Sequence, residues 1–549
     1  MFVGAHAKNS NNILIDIPVF CVSSIFLKML SNLICMSKTI EALESDYKKL
    51  MDLTREVIVL GSAVSIIYWD METMMPPKGV NLRSQQLGVL RQMMHRLITK
   101  PEIGNLLSNI ENHPDFESIN ELQKRNTYLV RKNYDEQTKL PEKLVADMAK
   151  QEAIGVNVWK KAKAAKNFSL FKPELEKILK LKRQAAEILM EVKGTKTPYD
   201  ALIDIYEPKM AADSISTIFI GLRDGLVEIL QKCQNAPNQP NPEVLKRKVS
   251  IMDQQKISKE IAAFIGYDIE SKEAGGRIDQ VEHPFTTGYY DDVRITTHYY
   301  EKEMASSLFS VLHEGGHAIY DQNLKQEWMF QPVGSSASLG FHESQSRFVE
   351  NIIGRSREFW TYFYPKLNEL TGNVFSNLSL DNFVRAINHV RPSKIRVEAD
   401  EVTYCLHIII RFEIEQELIP NRIMVKDLPE IWNQKYKDYL GVNIENDSEG
   451  VLQDIHWSGG DFGYFPTYAL GNIISGQLLD TVQKSISDWK DQISRGNFQN
   501  VKKWLVENVH QQGDLYDPPV LIKRITGEKM NSKPYLEYLD KKYSWVYGY

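Results

Sequence analysis

The residues best suited to chemistry are His313, Glu314 and His317, which follow a His-Glu-x-x-His spacing in an apolar stretch without proline. In an α-helix, residues four apart lie one above the other, so both imidazoles can bind a single metal ion. Glu314 lies about 100° around the helix from His313 and therefore borders the metal, where it can accept a proton from a water molecule. The spacing is typical of zinc-dependent peptidases. The alternative interpretation is a pair of core histidines beside a surface glutamate.

Two glycines, Gly315 and Gly316, follow Glu314 within the same predicted helix. Each glycine costs a helix about 0.8–1 kcal/mol relative to alanine. We therefore expect them to allow the close approach of a substrate backbone or a neighbouring element, with packing that offsets the cost.

A third metal ligand must come from another element, because catalytic zinc usually has three protein ligands and one open position for water. The segment 341–354 has apolar residues at helical spacing after a loop of small residues, which predicts a returning helix. Glu343 lies in this segment, 26 residues after His317, and is the preferred third ligand. Glu350, two turns further along a similar face, and His342 are the alternatives.

A second type of element precedes the metal helix. Residues 283–300 are dense in β-branched and aromatic side chains, which predicts a short hairpin or a small sheet. This hairpin leads directly into the predicted helix, so an edge strand is expected to form one wall of a cleft. Strand alternation would then let Arg294 face a substrate. The alternative is a surface ion pair between Arg294 and Asp292.

The remaining chain is mainly helical by periodicity, and its overall composition excludes some functions. The 66 basic and 71 acidic residues nearly balance, and no clustered basic face indicates nucleic-acid binding. The four cysteines (Cys21, Cys35, Cys233 and Cys405) lack metal-type spacing. They are typical of free thiols in a reducing compartment, which predicts a cytoplasmic protein.

The first 36 residues differ from the rest of the chain. Residues 13–35 are apolar but contain charged residues and a proline, which argues against a membrane-spanning helix. Only Lys8 precedes them, unlike the basic region of a secretory signal. We predict that residues 1–36 form an extension outside the fold and that residues 37–549 form a single catalytic domain. A weak membrane anchor is the alternative interpretation.

Six motifs follow one another along the chain: His283–Phe285, Asp292–Thr296, His313–His317, His342–Gln345, Ile395–Asp400 and Gly450–Trp457. In this order they resemble the motifs of the carboxypeptidase Taq family of zinc metallocarboxypeptidases, and the resemblance extends from about Met36 to the end of the chain. The stretch 68–79 also resembles the amino-terminal signature of that family.

The resemblance implies a mainly α, two-lobed helical metallopeptidase fold around a long groove, similar to neurolysin and angiotensin-converting enzyme. It implies a homodimer that releases single residues from the carboxyl end of peptides with broad specificity. It also implies Glu343 as third ligand and zinc as the metal, with cobalt able to substitute. An endo-oligopeptidase of the same fold and an inert metal-binding helical protein are the alternatives, and no membrane partner is expected.

The resemblance also assigns residues outside the metal motif. His456 and either Tyr464 or Tyr468 would donate hydrogen bonds to the oxyanion that forms during peptide hydrolysis. The alternative is that the tyrosines are core aromatic residues with satisfied hydroxyl groups.

An exopeptidase must in addition bind a free carboxylate, which arginine does best through two parallel hydrogen bonds. Arg294 and Arg396 lie inside matched motifs and are the candidates. We expect Arg396 to open a long helix and Asp400, four residues later, to hold its guanidinium. A purely structural salt bridge is the alternative.

Overall fold

The computed structural model describes residues 19–549, with side chains from Ile40 onward, and this part of the chain is mainly helical, as predicted. One small sheet is present, with strands β1 Gly276–Gln280, β2 Thr286–Tyr289 and β3 Asp292–Thr297. The helices are α1 Val19–Thr73, α2 Val80–Ile98, α3 Pro101–Glu111, α4 Glu121–Lys139, α5 Glu142–Ala164, α6 Lys172–Lys193, α7 Pro198–Ile203, α8 Ala212–Asn235, α9 Ile251–Ile265, α10 Met304–Gln322, α11 Leu339–Arg347, α12 Arg357–Leu370, α13 Leu380–Ile387, α14 Tyr404–Leu418, α15 Leu428–Leu440, α16 Pro466–Ser485, α17 Trp489–Ser494, α18 Gln499–Asn508, α19 Pro518–Thr526 and α20 Lys533–Tyr547.

The predicted hairpin is confirmed, and it lies within a three-stranded sheet of order β1-β3-β2. Strand β2 pairs antiparallel with β3, whereas β1 pairs parallel with β3. Gly288 has φ 137°, and a Cβ at this position would lie 2.0 Å from the carbonyl oxygen of Asp292, so only glycine fits here. Val293 and Ile295 point into the core and are fully buried. The sheet therefore presents the alternate residue Arg294 on its other face.

Helix α10 is the predicted metal helix, and it is buried on nearly all sides. Leu308, Val311, Leu312 and Ile319 are at most 1% exposed. The helix packs against α9, α11 and β3. This packing holds the polar side chains of α10 at fixed positions.

The predicted helix over residues 341–354 is present in two parts. Helix α11 begins where the Ser338 hydroxyl accepts a hydrogen bond from the Phe341 N–H at 3.1 Å. After Arg347 the chain continues as a π-helix, Phe348–Ile353. A π-helix is rare, and it occurs mostly as a single turn inside an α-helix, frequently at a functional site.

Two large hydrophobic clusters form most of the core, and helix α16 contributes to both. Ala469, Leu470 and Ile473 belong to the first cluster, whereas Leu478 and Val482 belong to the second. Helix α16 also packs closely along α11. The start of α16, where Tyr468 lies, is thereby brought beside the metal helix pair.

Two of the predicted free thiols lie in the part of the chain with described side chains. Cys233 and Cys405 are buried and form no disulfide. Cys21 and Cys35 lie outside the described side chains. Among the described residues, no helix combines the length and the apolar character needed to cross a membrane.

Candidate metal centre and active site

His313, His317 and Glu343 converge on one point between α10 and α11. Their ligand atoms all lie within 4.8 Å of one another. The Nε2 atoms of His313 and His317 are 3.7 and 3.4 Å from Oε2 of Glu343. Two ligand atoms on a tetrahedral zinc ion lie roughly 3.3 Å apart, given metal–ligand bonds of about 2.0–2.1 Å. The three side chains therefore fit a single divalent cation.

The charge state of Glu343 suits a metal ligand. Burial alone would raise the pKa of this carboxyl group, but the charge of Arg347 and the adjacent imidazoles hold it well below its ordinary value. The Arg347 Nε–H donates to Oε1 of Glu343 at 2.6 Å. This bond leaves Oε2 directed toward the two histidines.

The two alternatives for the third ligand contact the opposite sides of the imidazole rings. Oε2 of Glu350 lies 2.9 Å from Nδ1 of His313. Nδ1 of His342 lies 2.5 Å from Nδ1 of His317. The Nε2 atoms of the two histidines face Glu343 instead. Glu350 and His342 therefore contact the Nδ1 side of the imidazole rings, away from Glu343.

Glu314 lies beside the ligand cluster and is 7% exposed. Its Oε2 accepts a hydrogen bond of 2.6 Å from the hydroxyl group of Thr286, which lies on the edge strand β2. An edge strand thus lies next to the metal helix, as expected. Burial raises the pKa of Glu314, although His313 and Thr286 oppose the shift. A raised pKa makes this carboxylate a better proton acceptor.

The two glycines of α10 permit close packing of neighbouring elements. A Cβ on Gly316 would lie 2.6 Å from the carbonyl oxygen of Gln345 and 2.6 Å from Cα of Ser346, both in α11. A Cβ on Gly315 would meet only the Cδ1 methyl group of Ile265, at 2.3 Å. The neighbouring element that Gly316 admits is therefore the backbone of α11.

His456, Tyr464 and Tyr468 lie close together at the start of α16. Nε2 of His456 is 3.4 Å from the Tyr468 hydroxyl oxygen. The ring centroid of Tyr464 is 5.4 Å from that of His456 and 5.2 Å from that of Tyr468. Burial lowers the pKa of His456 to about 4, so the imidazole is neutral at neutral pH. Burial raises the pKa of Tyr464, and the Glu343 charge adds to this shift.

Glu415 holds the loop that carries these donors, and sequence reasoning did not identify it. Its carboxylate accepts hydrogen bonds from Trp457 Nε1 at 2.7 Å, the Gly463 N–H at 2.8 Å and the Tyr199 hydroxyl at 2.9 Å. Burial raises its pKa to about 7, because none of these partners is a cation. Helix α14 also contains Glu413 and Glu417, so the sequence offers no local signal that singles out Glu415.

The expectation for Arg396 is wrong in two respects. Arg396 lies in a short 3₁₀ turn, and the long helix begins only at Tyr404. Its guanidinium pairs with Asp454, at 2.9 Å, and not with Asp400. Both carboxylate oxygens of Asp400 are instead occupied nearby: Oδ1 accepts the N–H groups of Val402 and Thr403, and Oδ2 accepts the Arg391 N–H and the Thr403 hydroxyl.

Arg294 forms the ion pair that the alternative interpretation predicted. Its guanidinium donates to both carboxylate oxygens of Asp292, at 2.7 and 2.8 Å. It also lies over the ring of Trp69 at 4.3 Å, and Arg277 lies over the same ring at 4.5 Å. Trp69 belongs to the amino-terminal stretch 68–79, so this stretch contacts a candidate substrate-binding arginine. A role of Arg294 in substrate binding stays a prediction.

A helical fold in which two histidines on one helix and a glutamate on the next meet beside a buried carboxylate defines a metallopeptidase. The family described as Carboxypeptidase Taq (M32) metallopeptidase matches residues 49–543. The chain belongs to this family and is a metal-dependent carboxypeptidase.

Individual relatives cover nearly the whole chain. Carboxypeptidase 1 of Bacillus subtilis is 38% identical over 501 residues, which cover 91% of this chain and 98% of the relative. Thermostable carboxypeptidase 1 of Thermus thermophilus is 37% identical over 512 residues, with 92% and 99% covered. The crystal structure of the M32 carboxypeptidase from Deinococcus radiodurans superposes with a TM-score of 0.87 at 32% identity, covering 92% of this chain and all of that one.

Proposed function

We propose that this carboxypeptidase is a zinc enzyme in which His313, His317 and Glu343 hold the ion and Glu314 transfers the proton. The observation that carries the proposal is that two Nε2 atoms lie 3.7 and 3.4 Å from one carboxylate oxygen, close to the roughly 3.3 Å between ligands on a tetrahedral zinc ion. When bound there, zinc supplies a Lewis acid that polarises the scissile carbonyl group and lowers the pKa of water. Cobalt, with a similar preference for these ligands, is expected to substitute.

Glu314 is assigned as the general base. Thr286 occupies its Oε2, so Oε1 remains available to take a proton from the attacking water. The same carboxyl group then passes the proton to the leaving amine, as a general acid.

We expect Glu314→Gln to retain zinc, measured by mass spectrometry of the metal content, and to lose nearly all turnover. The variant keeps the size of the side chain and removes only its basicity. Substantial activity in a zinc-loaded Glu314→Gln protein would contradict the assignment. The companion variant Glu343→Ala should instead lose bound zinc, and unchanged zinc content in it would contradict the ligand set.

His456, Tyr464 and Tyr468 are proposed to donate hydrogen bonds to the oxyanion. A neutral His456 with both tyrosine hydroxyl groups nearby supports this role, because preorganised donors stabilise developing negative charge.

Arg294 and Arg396 are proposed to recognise the free carboxylate of peptide substrates. Both guanidinium groups are already held by carboxylates, Asp292 and Asp454, which fixes their orientation. A peptide and its carboxyl-amidated twin test the proposal, because the amide removes the negative charge that arginine binds. We expect cleavage of the free peptide only, and equal cleavage of both peptides would contradict carboxylate recognition.

The broader properties that we propose are a two-lobed fold with a long groove similar to neurolysin and angiotensin-converting enzyme, broad specificity, a homodimer and a cytoplasmic location. We also propose that residues 37–549 form one catalytic domain and that residues 1–36 form an extension. The carboxypeptidase relatives match nearly the whole chain, which supports a single catalytic domain. Size-exclusion chromatography with light scattering tests the dimer, and deletion of residues 1–36 with retained activity would support the extension.

A further inference from the structure

The metal-facing histidine His317 has a second contact that the proposed mechanism does not use. Its Nδ1 lies 2.5 Å from Nδ1 of His342, and Nε2 of His342 lies 3.0 Å from Oδ1 of Asp321. We propose that His342 and Asp321 are positioning residues that fix the tautomer and the orientation of His317. This inference rests on the proposed metal site, because it requires that Nε2 of His317 binds a cation.

Only one placement of the hydrogen atoms is consistent with the contacts that link His317, His342 and Asp321. A neutral imidazole carries one N–H, so His317 must carry its proton on Nδ1 if Nε2 is to offer a lone pair to a cation. Two ring nitrogens 2.5 Å apart can share only one hydrogen, so Nδ1 of His342 accepts it. The proton of His342 is then on Nε2, where it is donated to the Asp321 carboxylate. These hydrogen positions are assigned from the heavy-atom contacts.

A column of neighbouring rings holds His342 in place. The ring centroids of His342 and His317 are 4.5 Å apart with 28° between the ring planes, and the centroid of Tyr320 lies 5.3 Å from that of His342 with 31° between the planes. The ring of His510 stacks on Tyr320 at 4.8 Å, and its Nε2 is 2.9 Å from Oε1 of Gln345. The imidazole of His342 therefore cannot rotate away from Nδ1 of His317 without disturbing the column.

The other metal-facing histidine has a different partner. Nδ1 of His313 contacts the Glu350 carboxylate, which Arg347 and Arg355 hold at 3.4 and 3.2 Å. The two histidines thus have different hydrogen-bond partners. His313 contacts a carboxylate directly, whereas His317 contacts the neutral imidazole of His342, which in turn contacts the Asp321 carboxylate. Such partners orient a metal ligand and tune its basicity, and their loss typically weakens metal affinity about 10–100-fold.

Two substitutions at position 342 separate hydrogen bonding from packing. His342→Phe keeps a flat ring at this position but replaces Nδ1 by a C–H group that cannot accept a hydrogen bond, so the buried N–H of His317 loses its partner. His342→Asn loses ring volume but keeps an acceptor, because the Asn oxygen, like Nδ1, is one bond from Cγ. The readout is the zinc dissociation constant from competition with a chelator. Thermal unfolding of the metal-free variants checks that each one is folded.

We expect the zinc dissociation constant to rise about 10–100-fold in His342→Phe and to stay within about threefold of wild type in His342→Asn. Asp321→Asn keeps the acceptor but removes its charge. Its zinc dissociation constant should lie between those of His342→Asn and His342→Phe. Wild-type zinc affinity in His342→Phe would overturn the inference. Weaker zinc binding in His342→Asn than in His342→Phe would also overturn it, because that ranking is the one that packing alone predicts.

His317→Ala separates a failure of this inference from a failure of the metal site. Zinc binding in His317→Ala as tight as in the wild type would refute the metal site itself. Loss of zinc in His317→Ala together with wild-type binding in His342→Phe would overturn only the positioning role of His342.

Discussion

The close approach of α10 and α11 at Gly316 leads to our most specific prediction, the effect of Gly316→Ala. The added methyl group would lie 2.6 Å from both Gln345 O and Ser346 Cα. These are backbone atoms of a packed helix, so no side-chain rotation can relieve the contact. The two helices must separate by about 0.8 Å to restore an ordinary carbon contact of about 3.4 Å or more.

The expected change in the free energy of unfolding of Gly316→Ala has two opposing contributions. Overpacking of this kind costs about 1–3 kcal/mol, and replacing a helical glycine returns about 1 kcal/mol of helix propensity. We therefore expect the free energy of unfolding to fall by up to about 2 kcal/mol. Metal binding should suffer more, because His317 is on one helix and Glu343 on the other, and a metal site tolerates errors of only about 0.2 Å in its distances.

Gly315→Ala is the matched control, because the two glycines are adjacent in the same helix. Its methyl group would meet only the end of the Ile265 side chain, which can change rotamer for about 0.5–1.5 kcal/mol, nearly offset by the propensity gain. Urea unfolding of the metal-free proteins and zinc dissociation constants provide the assay. Equal stability and equal zinc affinity in the two variants would refute the role of Gly316 as the point of helix contact.

Two further predictions concern buried carboxyl groups. Burial raises the pKa of Glu207 to about 8 from an ordinary value of 4.5, so the folded state keeps a proton that the unfolded chain releases. The free energy of unfolding should therefore fall as pH rises between these values, more steeply than in Glu207→Gln; parallel pH profiles from urea unfolding would contradict this. Asp454→Asn removes the one carboxylate shared by the buried Arg396 and Arg411. We expect it to lower the free energy of unfolding by about 3–5 kcal/mol, and a urea-measured loss below about 1 kcal/mol would contradict the role of this ion cluster.

The parts of the fold that the sequence predicted are those that depend only on residues close together in the chain. The His313–His317 helix, the returning helix with Glu343 and the hairpin before α10 each follow from periodicity within one segment. The short turn of β2 and β3 brings neighbouring residues together without any distant partner. Helical spacing alone also placed the two histidines on one face.

The features that were missed depend on partners far away in the sequence. Strand β1 is paired parallel to β3, and a charged five-residue segment gives no local strand signal. Arg396 pairs with Asp454, 58 residues later, because local backbone N–H groups already occupy Asp400. Glu415 likewise binds donors from three separate segments. Such pairings are set by tertiary packing, which a single sequence does not encode at any fixed spacing.

The π-helix Phe348–Ile353 makes this site sensitive to chain length as well as to residue identity. Its wider turn accommodates more residues than an α-helical turn, and Glu350 reaches Nδ1 of His313 from within it. Deletion of one residue ahead of Glu350 would change the helical phase by about 100° and turn the carboxylate away from the imidazole. During evolution, single-residue insertions and deletions between Glu343 and Glu350 should therefore be removed by selection even where substitutions are accepted. We expect related sequences to align without gaps across this segment.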